Sequence, residues 1–362
     1  MTSNTTRSSN GSGFHVTFAY QSWDINFNQW VSLFTICLAP LIAHILAGAP
    51  RTVYVSNREP RWHDTIVHYN PVSIVWRYVA IAERCLSTTN LALEEIAVTN
   101  VALWTDHGWD GSLATVQEHK GLCVQRPRPA LERLLSPDTF KTVIVALQGV
   151  SAAFTIFPGP LSGDLSTLAA IFQPLALMGL LRLPAAYWLT DEHLMADKVD
   201  NVELRTTPTS PAAIYAEAPL LDKQAQSATS ASLGSDDAGQ TQRHTRLRFL
   251  AYAVRLISIA FLLMFLGMCL WATINPIVHG YSMSLTVCLI DFIYLFVVSS
   301  CAVILIVCSI RDSNDSTIVP CSGHLWYKIH TGMVALLFML MLIFAALEVW
   351  IENGAYSSDP RP

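Results

Sequence analysis

The chain has 362 residues, of which 52% are hydrophobic and only 14% are charged, and its formal net charge at pH 7 is −5. Soluble domains carry roughly 25% charged residues, so this composition argues against a soluble enzyme or a nucleic-acid-binding protein. The apolar residues are concentrated in long runs, and about 20 helical residues cross a hydrocarbon layer of ~30 Å. Because lipid offers the backbone no hydrogen bonds, each long run predicts a transmembrane helix.

Six runs are long enough to cross a bilayer, and they predict an all-α, polytopic membrane helix bundle. The runs are residues 30–49, 139–157, 165–189, 249–273, 281–310 and 326–351. Aromatic rings stand at several run ends, where amphipathic side chains prefer the headgroup layer. These residues are Trp30, Trp188, Trp271, Tyr281, Trp326, Tyr327 and Trp350.

The basic residues predict the orientation of the bundle. Of the 22 Lys and Arg residues, all except Arg7 and Arg361 lie in or beside the segments 50–138, 190–248 and 310–325. Loops that retain Lys and Arg face the cytosol, so these three segments are predicted to be cytosolic. The segments predicted on the opposite side are residues 1–29, 158–164, 274–280 and 352–362. Both termini are therefore predicted to be extracytosolic, in a plasma membrane or an endomembrane.

The N-terminal residues lack the charged and apolar regions of a secretory signal, so the first apolar run is predicted to direct membrane insertion. Asn4 and Asn10 begin N-glycosylation sequons on the predicted extracytosolic tail, and we predict glycosylation there. The sequon at Asn314 falls in a predicted cytosolic segment, which the glycosylation machinery does not reach.

Motif and cysteine patterns predict neither a metal site nor a cofactor. None of the eight cysteines falls on the predicted outer face, and no Cys/His spacing suggests zinc. Nucleotide-binding loops and metalloprotease motifs do not occur, which argues against ATP-driven transport and nucleotide redox chemistry. A cluster of polar residues directly follows the third apolar run and could bind Mg²⁺ in a membrane-embedded enzyme. The favoured interpretation is that these residues form the solvated end of the third helix. The cluster consists of Asp191, Glu192, His193 and Asp197.

The predicted cytosolic segments differ in character. Residues 206–241 are rich in Ser, Thr, Ala, Pro, Gln and Gly, and this composition predicts a disordered linker. In residues 50–138, by contrast, Pro71 can start a helix, and Val72–Leu86 and Leu91–Trp104 both repeat apolar residues at helical spacing. Charged residues such as Arg77 are costly at the bilayer centre. We therefore predict two amphipathic helices along the cytosolic interface or packed under the bundle.

Part of this region resembles a known group of proteins. The segments Asn70–Tyr78, Asn100–Trp104 and Gly108–Ser112 resemble segments of uncharacterised multi-pass membrane proteins of filamentous fungi, over about residues 30–112. The resemblance implies a multi-pass membrane protein. It implies no activity, cofactor or site residue.

Polar residues inside the predicted helices are the candidate functional residues, because each is costly in lipid unless it is paired or functional. Counting from Tyr281 places Asp291 about 15 Å deep, with Gln148 at a similar level. His44 and Arg182 are predicted nearer the cytosolic ends, where Arg182 can reach the headgroups. Asp291 is predicted to pair with Gln148 or His44, or to face a hydrated cavity where it could bind a proton or a cation.

Three classes of function follow from these candidates. A membrane accessory or scaffold protein would use residues 70–112 to bind membrane or cytosolic protein partners. A small-solute or proton-coupled transporter would use Asp291, and Asp291→Asn would abolish transport. An embedded enzyme, the least favoured class, would bring the polar group after the third run into one cavity.

Overall fold

The fold is taken from a computed structural model that describes residues 16–17, 39–88, 91–125, 137–156, 172–189, 193–195, 237–279, 283–311 and 316–356. Asn4 and Asn10 lie outside the described residues. The predicted linker lies outside them up to residue 236, and helix begins at Asp237.

Most of the described chain is helical. The α-helices are α1 (Trp62–Thr65), α2 (Pro71–Ser87), α3 (Leu93–Thr99), α4 (Leu113–His119), α5 (Pro137–Ile156), α6 (Gln173–Met178), α7 (Asp237–His279), α8 (Leu285–Ile310) and α9 (Leu325–Tyr356). The strands are β1 (Val16–Thr17), β2 (Arg51–Tyr54), β3 (Val101–Thr105), β4 (Gly108–Asp110), β5 (Cys123–Gln125), β6 (His193–Met195) and β7 (Met283–Ser284). A π-helical turn covers Ile42–Leu46, and 3₁₀ segments cover Ile66–Tyr69, Lys120–Leu122 and Gly179–Ala185.

Three helices in the described part of the chain are long and apolar enough to cross a membrane. They lie at Phe249–His279 within α7, at Leu285–Ile310 as α8, and at Leu325–Ala345 within α9. Large apolar side chains on their outer faces are exposed, as lipid contact requires, while the inner faces pack together. These helices match the last three predicted runs and indicate an integral membrane protein.

The first three predicted runs are less regular than the last three. Within the described residues, Thr139–Phe154 of α5 is a shorter apolar helix, and residues 39–49 contain only one helical turn and the π-helical turn. One continuous helix was predicted over residues 165–189. Instead, α6 passes at Gly179 into a 3₁₀ segment that contains Pro184, whose ring nitrogen has no hydrogen to donate to a preceding carbonyl.

Helix α2 lies inside the molecule. It begins at Pro71, and the side chain of Asn70 caps it by accepting a 3.0 Å hydrogen bond from the Val72 amide. Its side chains are buried on nearly every side, and it packs against α7, α8 and the 3₁₀ segment Gly179–Ala185. The predicted helix is therefore present, and it packs against helices of the bundle.

The second predicted amphipathic helix was wrong beyond its first half. Helix α3 ends at Thr99, and Val101–Thr105 is strand β3, which pairs in parallel with β2 and antiparallel with β4. β-Branched and aromatic residues favour such pairing, and the partner strand β2 lies about 50 residues earlier in the chain. The described fold is therefore a helix bundle with a small three-stranded sheet, which the all-α prediction lacked.

Short strand pairs join distant connecting segments of the chain. Strand β1 pairs in parallel with β7, which directly precedes α8. Strand β5 pairs antiparallel with β6, and Ser112 forms an isolated bridge with Ser316, just before α9. The β5–β6 pair and the Ser112–Ser316 bridge each join two segments that the charge pattern predicts to be cytosolic, and the β1–β7 pair joins the predicted extracytosolic tail to the outer end of the predicted run 281–310.

Candidate functional site

Polar side chains of α2 bind carbonyl groups of surrounding segments. The two terminal nitrogens of the Arg77 guanidinium donate to the carbonyls of Gly48 (2.9 Å) and Asn100 (2.8 Å). Arg84 donates to the carbonyl of Gly111 at 2.6 Å, and the indole of Trp76 donates to the carbonyl of Ser316 at 3.2 Å. The charged groups that excluded α2 from the bilayer centre therefore fix the loops and the sheet to the bundle.

The N-terminus of α2 also joins α8 and α9 through side-chain hydrogen bonds. The amide nitrogen of Asn70 lies 3.1 Å from Nδ1 of His330 and 2.9 Å from the hydroxyl of Thr331. The other ring nitrogen of His330 lies 3.0 Å from the Ser300 hydroxyl on α8. One asparagine thus links three helices of the bundle.

A polar cleft of about 560 Å³ lies beside this junction. One wall is the segment that leads into α1, the second is the β3–β4 hairpin, and the third is the connection from Ser316 to the first turn of α9. Its charged or titratable side chains are Arg58, Glu59, Arg61, His63, Asp64, Asp106, His107, Asp110 and Lys328. The volume falls within the range of roughly 300–1,000 Å³ that is usual for small-molecule sites.

The first wall of the cleft is held by the tryptophans of the hairpin. The indole nitrogen of Trp104 donates to the carbonyl of Arg58, and that of Trp109 donates to the carbonyl of Asp64 at 2.7 Å. The two rings pack edge to face with centroids 4.9 Å apart. These bonds fix the backbone that carries the basic residues Arg58 and Arg61.

Two carboxylates of the cleft, Asp64 and Asp110, already accept hydrogen bonds from other groups of the protein. Burial would raise the pKa of Asp64, but hydrogen bonds from the Lys328 ammonium and the Arg61 amide outweigh it and lower the pKa below its ordinary value. Burial opposes ionisation of Asp110 too, yet hydroxyl and amide donors from Thr115 and Ser112 lower its pKa. Both carboxylates are therefore structural anions with little capacity left for a ligand.

The basic side chains of the cleft differ from these carboxylates. Among the described residues, no hydrogen bond or ion pair engages the guanidinium group of Arg58 or that of Arg61, and both side chains are exposed. Glu59 and Asp106 keep the cleft mixed in charge, and Asp106 accepts a hydrogen bond from Ser56. The open part of the cleft therefore offers guanidinium donors as well as carboxylate acceptors.

His68 lies behind the cleft, with only 4% of its surface exposed. Its ring packs edge to face on Trp109 at 4.4 Å, and Nε2 has no hydrogen-bond partner within the described part of the chain. Burial, helped by the nearby Arg77 charge, lowers the pKa of His68 to about 4. His68 also lines a small cavity of about 10 Å³, and the neutral ring is the form that this environment favours.

The predicted intramembrane residues do not form one site. Arg182 is buried, donating to the hydroxyls of Thr142 (3.1 Å) and Tyr78 (3.2 Å), so the prediction that it reaches the headgroups was wrong. The His44 ring packs directly against Gly179. The buried Oε1 of Gln148 has no partner among the described residues.

Asp291 lies apart from the other three candidates. Asp291 lies about 9 Å along α8 from its first residue, Leu285. It lies near Cys269 of α7, and among the described residues no hydrogen bond or ion pair joins it to Gln148 or His44. Neither of the two cavities beside α2 is lined by Asp291.

The candidate Mg²⁺ group was predicted to follow the third run. Asp191, Glu192 and Asp197 lie outside the described residues, and His193 is in β6. No group of three or more His, Cys, Asp or Glu side chains suited to a metal ion occurs in the described ranges. The embedded-enzyme hypothesis gains no support from these residues.

Sequence reasoning missed the cleft, because its third wall, at residues 316–328, comes more than 200 residues after the other two. A local signal was nevertheless present. Two arginines, a proline and a tryptophan stand close together between predicted elements, at Arg58–His63.

Comparisons with known proteins do not identify a family. A scan of protein-family models finds no match to this chain, and searches of curated proteins and of solved structures find none either.

Proposed function

We propose that the chain is a multi-pass integral membrane protein of six transmembrane helices with a scaffold or accessory function, which holds a binding cleft at the cytosolic face of the bilayer. Residues 50–125 and 316–324 form that face, and both termini lie on the other side. The exposed surface of residues 91–112 binds membrane or cytosolic protein partners. The resemblance to multi-pass membrane proteins of filamentous fungi agrees with this assignment and adds no activity.

The strand pairs support the proposed orientation. β5 with β6, and Ser112 with Ser316, join segments that the charge pattern predicts to be cytosolic, whereas β1 lies in the predicted extracytosolic tail and β7 at the adjacent end of the run 281–310. In the proposed topology, each of these pairs joins segments on the same side of the bilayer. None of the pairs would require a strand to cross it. The positive-inside rule places the basic side in the cytosol.

The observation that carries the scaffold proposal is the position of α2. Arg77, Arg84 and Trp76 donate to carbonyls in four surrounding segments, and Glu83 forms an ion pair with Arg255 of α7. The sheet and the cleft are therefore rigidly attached to the bundle. A fixed surface at the membrane suits the recruitment of partners, whereas a gated transporter needs parts that move.

Site-specific photo-crosslinking in native membranes tests this proposal. A crosslinking amino acid at Glu94 or His107, both exposed on the subdomain, is expected to give discrete adducts with protein partners. The same amino acid at Leu336, on the exposed apolar face of α9, is the control and should give lipid adducts. Identical products at all three positions would contradict the scaffold proposal.

Orientation is tested by glycosylation. Removal of N-glycans should shift the mobility of the wild-type protein and leave an Asn4→Gln/Asn10→Gln variant unshifted. A glycan at Asn314 would reverse the proposed orientation.

A transporter that uses Asp291 is the second candidate, favoured by one observation. This carboxyl is half-buried in an apolar helix and has no hydrogen-bond partner among the described residues. The transporter hypothesis predicts that Asp291→Asn removes proton or solute flux from reconstituted vesicles while expression is unchanged. The scaffold hypothesis predicts unchanged crosslinks for the same variant.

A further inference from the structure

We infer that the cleft binds the phosphate group of an anionic phospholipid headgroup, with Arg58 and Arg61 as the phosphate-binding residues. This inference rests on the proposed function, because it requires α9 to cross the bilayer. It adds the chemical class of the ligand and the residues that select it.

The cleft opens where α9 leaves the bilayer. Lys328 in the first turn of α9 lines the cleft, and its neighbours Leu325 and Ile329 are exposed apolar residues. Exposed apolar residues continue along α9 at Met333 and Leu336. The lipid-facing surface of α9 therefore begins at the edge of the cleft, which is the level of the headgroups.

An exposed tryptophan stands in the first wall of the cleft, between two residues that line it. Trp62 is 77% exposed, and both of its neighbours, Arg61 and His63, line the cleft. Indole rings prefer the layer between headgroups and acyl chains. A phospholipid with its phosphate in the cleft would thus bring its glycerol and acyl chains near exposed apolar side chains such as Trp62 and Leu325.

The available donors fit a phosphate group. Two of the acidic groups, Asp64 and Asp110, are bound by internal donors, while the guanidinium groups of Arg58 and Arg61 have no partner within the described chain. Guanidinium groups bind phosphate oxygens through paired N–H donors. The bonds from the hairpin tryptophans to the backbone of this segment reduce the ordering that binding requires.

The mixed charge of the cleft adds a second property. Glu59 and Asp106 offset the charges of the two arginines, and Asp64 and Asp110 outnumber Lys328, so the phosphate is held by directed hydrogen bonds from the guanidinium groups and not by a net positive field. Binding should then depend on salt less steeply than it does for a polybasic surface.

The test uses the full-length protein in phosphatidylcholine nanodiscs with and without phosphatidic acid, whose headgroup is a phosphomonoester. Bound phosphatidic acid is measured by titration and by native mass spectrometry. Arg58→Gln/Arg61→Gln is expected to weaken binding by about tenfold or more, since each charged hydrogen bond is worth about that factor. Arg61→Lys keeps the positive charge but loses the paired N–H donors. Its affinity for phosphatidic acid should therefore fall between those of the wild type and the double variant.

The matched control neutralises two arginines that lie outside the cleft. Arg51 and Arg311 are exposed and do not line the cleft, so Arg51→Gln/Arg311→Gln should bind phosphatidic acid as the wild type does. Equal losses in both double variants would show nonspecific attraction to the membrane and overturn the inference. Unchanged binding in the cleft variant would overturn it as well.

A soluble probe separates the lipid from a free phosphate ester. Glycerol 3-phosphate carries the same phosphomonoester without acyl chains, and it should compete at least about 100-fold more weakly, because it buries no apolar surface. Trp62→Ala should weaken binding of phosphatidic acid and leave that of glycerol 3-phosphate unchanged. Equal affinity for both probes would assign the cleft to a soluble ligand and overturn the lipid assignment.

Failure of the proposed function has a different signature. Release of the protein from membranes by alkaline carbonate would overturn the membrane-spanning assignment and this inference together. A protein that resists extraction but binds phosphatidic acid independently of Arg58 and Arg61 would overturn the inference alone.

Discussion

The carboxylate of Glu83 on α2 forms an ion pair with the guanidinium of Arg255 on α7, although the two residues are 172 positions apart in the chain. Arg255 is buried, and Glu83 is mostly covered. A buried charge is strongly destabilising when its partner is missing. This pair therefore favours the observed position of α2 over others. If α2 moved away, the buried charge of Arg255 would lose its counter-ion.

Loss of either charge should destabilise the bundle. Glu83→Gln is expected to lower the free energy of unfolding by roughly 3 kcal/mol. Glu83→Gln/Arg255→Met should recover much of that loss, because both charges are then absent. Apparent melting temperatures of the purified protein in detergent measure both effects. Glu94→Gln, at an exposed position on α3, is the matched control and should melt as the wild type does.

His68 should make stability depend on pH. Burial lowers its pKa from the ordinary 6.5 to about 4, so the unfolded chain takes up the proton first as the pH falls. The contribution of the neutral ring is fully present above pH 6.5 and declines toward pH 4, by about 3 kcal/mol in all. Melting temperatures across this range should fall in the wild type and fall less in His68→Gln. Parallel curves for the two proteins would rule out this role of His68, since His44 and His330 remain in both.

The contact between Gly179 and His44 should not tolerate a side chain. A Cβ atom at Gly179 would lie 1.7 Å from Cε1 of the His44 ring, so Gly179→Ala is expected to destabilise by about 1–3 kcal/mol or more. Removing the ring in Gly179→Ala/His44→Ala should restore part of the stability. Gly332→Ala on α9, where no atom lies within 4 Å of the added Cβ, is the control and should be neutral or stabilising. Monodisperse elution after heating distinguishes these outcomes.

Removing the carboxyl of Asp291 should stabilise the bundle if that residue has no functional partner. A charged residue costs about 2.5–3.5 kcal/mol at the bilayer centre, and less toward a helix end. Asp291→Leu is therefore expected to raise the apparent melting temperature, with Asp291→Asn between it and the wild type. A lower melting temperature for both variants would reveal a bound partner or cation and would favour the transporter hypothesis.

The start of α2 was predictable because its signals are local. Asn70 and Pro71 form a cap and a first helical residue, and the apolar spacing follows directly. The burial of α2 was not predictable from the same pattern. Arg77 looks exposed in a single sequence, since its acceptors at Gly48 and Asn100 are visible only once the chain has folded.

The end of α3 shows a second limit of local patterns. Val101–Trp104 continues the helical spacing, yet these residues favour a strand once β2 is available as a neighbour. The candidate site failed for a similar reason. Apolar runs indicate which helices carry Asp291 and Gln148, but they do not show which faces of those helices meet, and no hydrogen bond joins the two side chains in the described part of the chain.

The burial of α2 has a consequence for biosynthesis. Its cap residue Asn70 bonds to Thr331, which is translated 261 residues later. At about 5–20 residues per second, α2 waits on the order of tens of seconds before α7, α8 and α9 exist to receive it. During that interval its apolar face and its arginines need temporary cover, so ribosome-associated chaperones or the insertion machinery should hold this segment. A truncation that removes α9 would leave α2 without one of its packing partners. The truncated protein should then be degraded more readily.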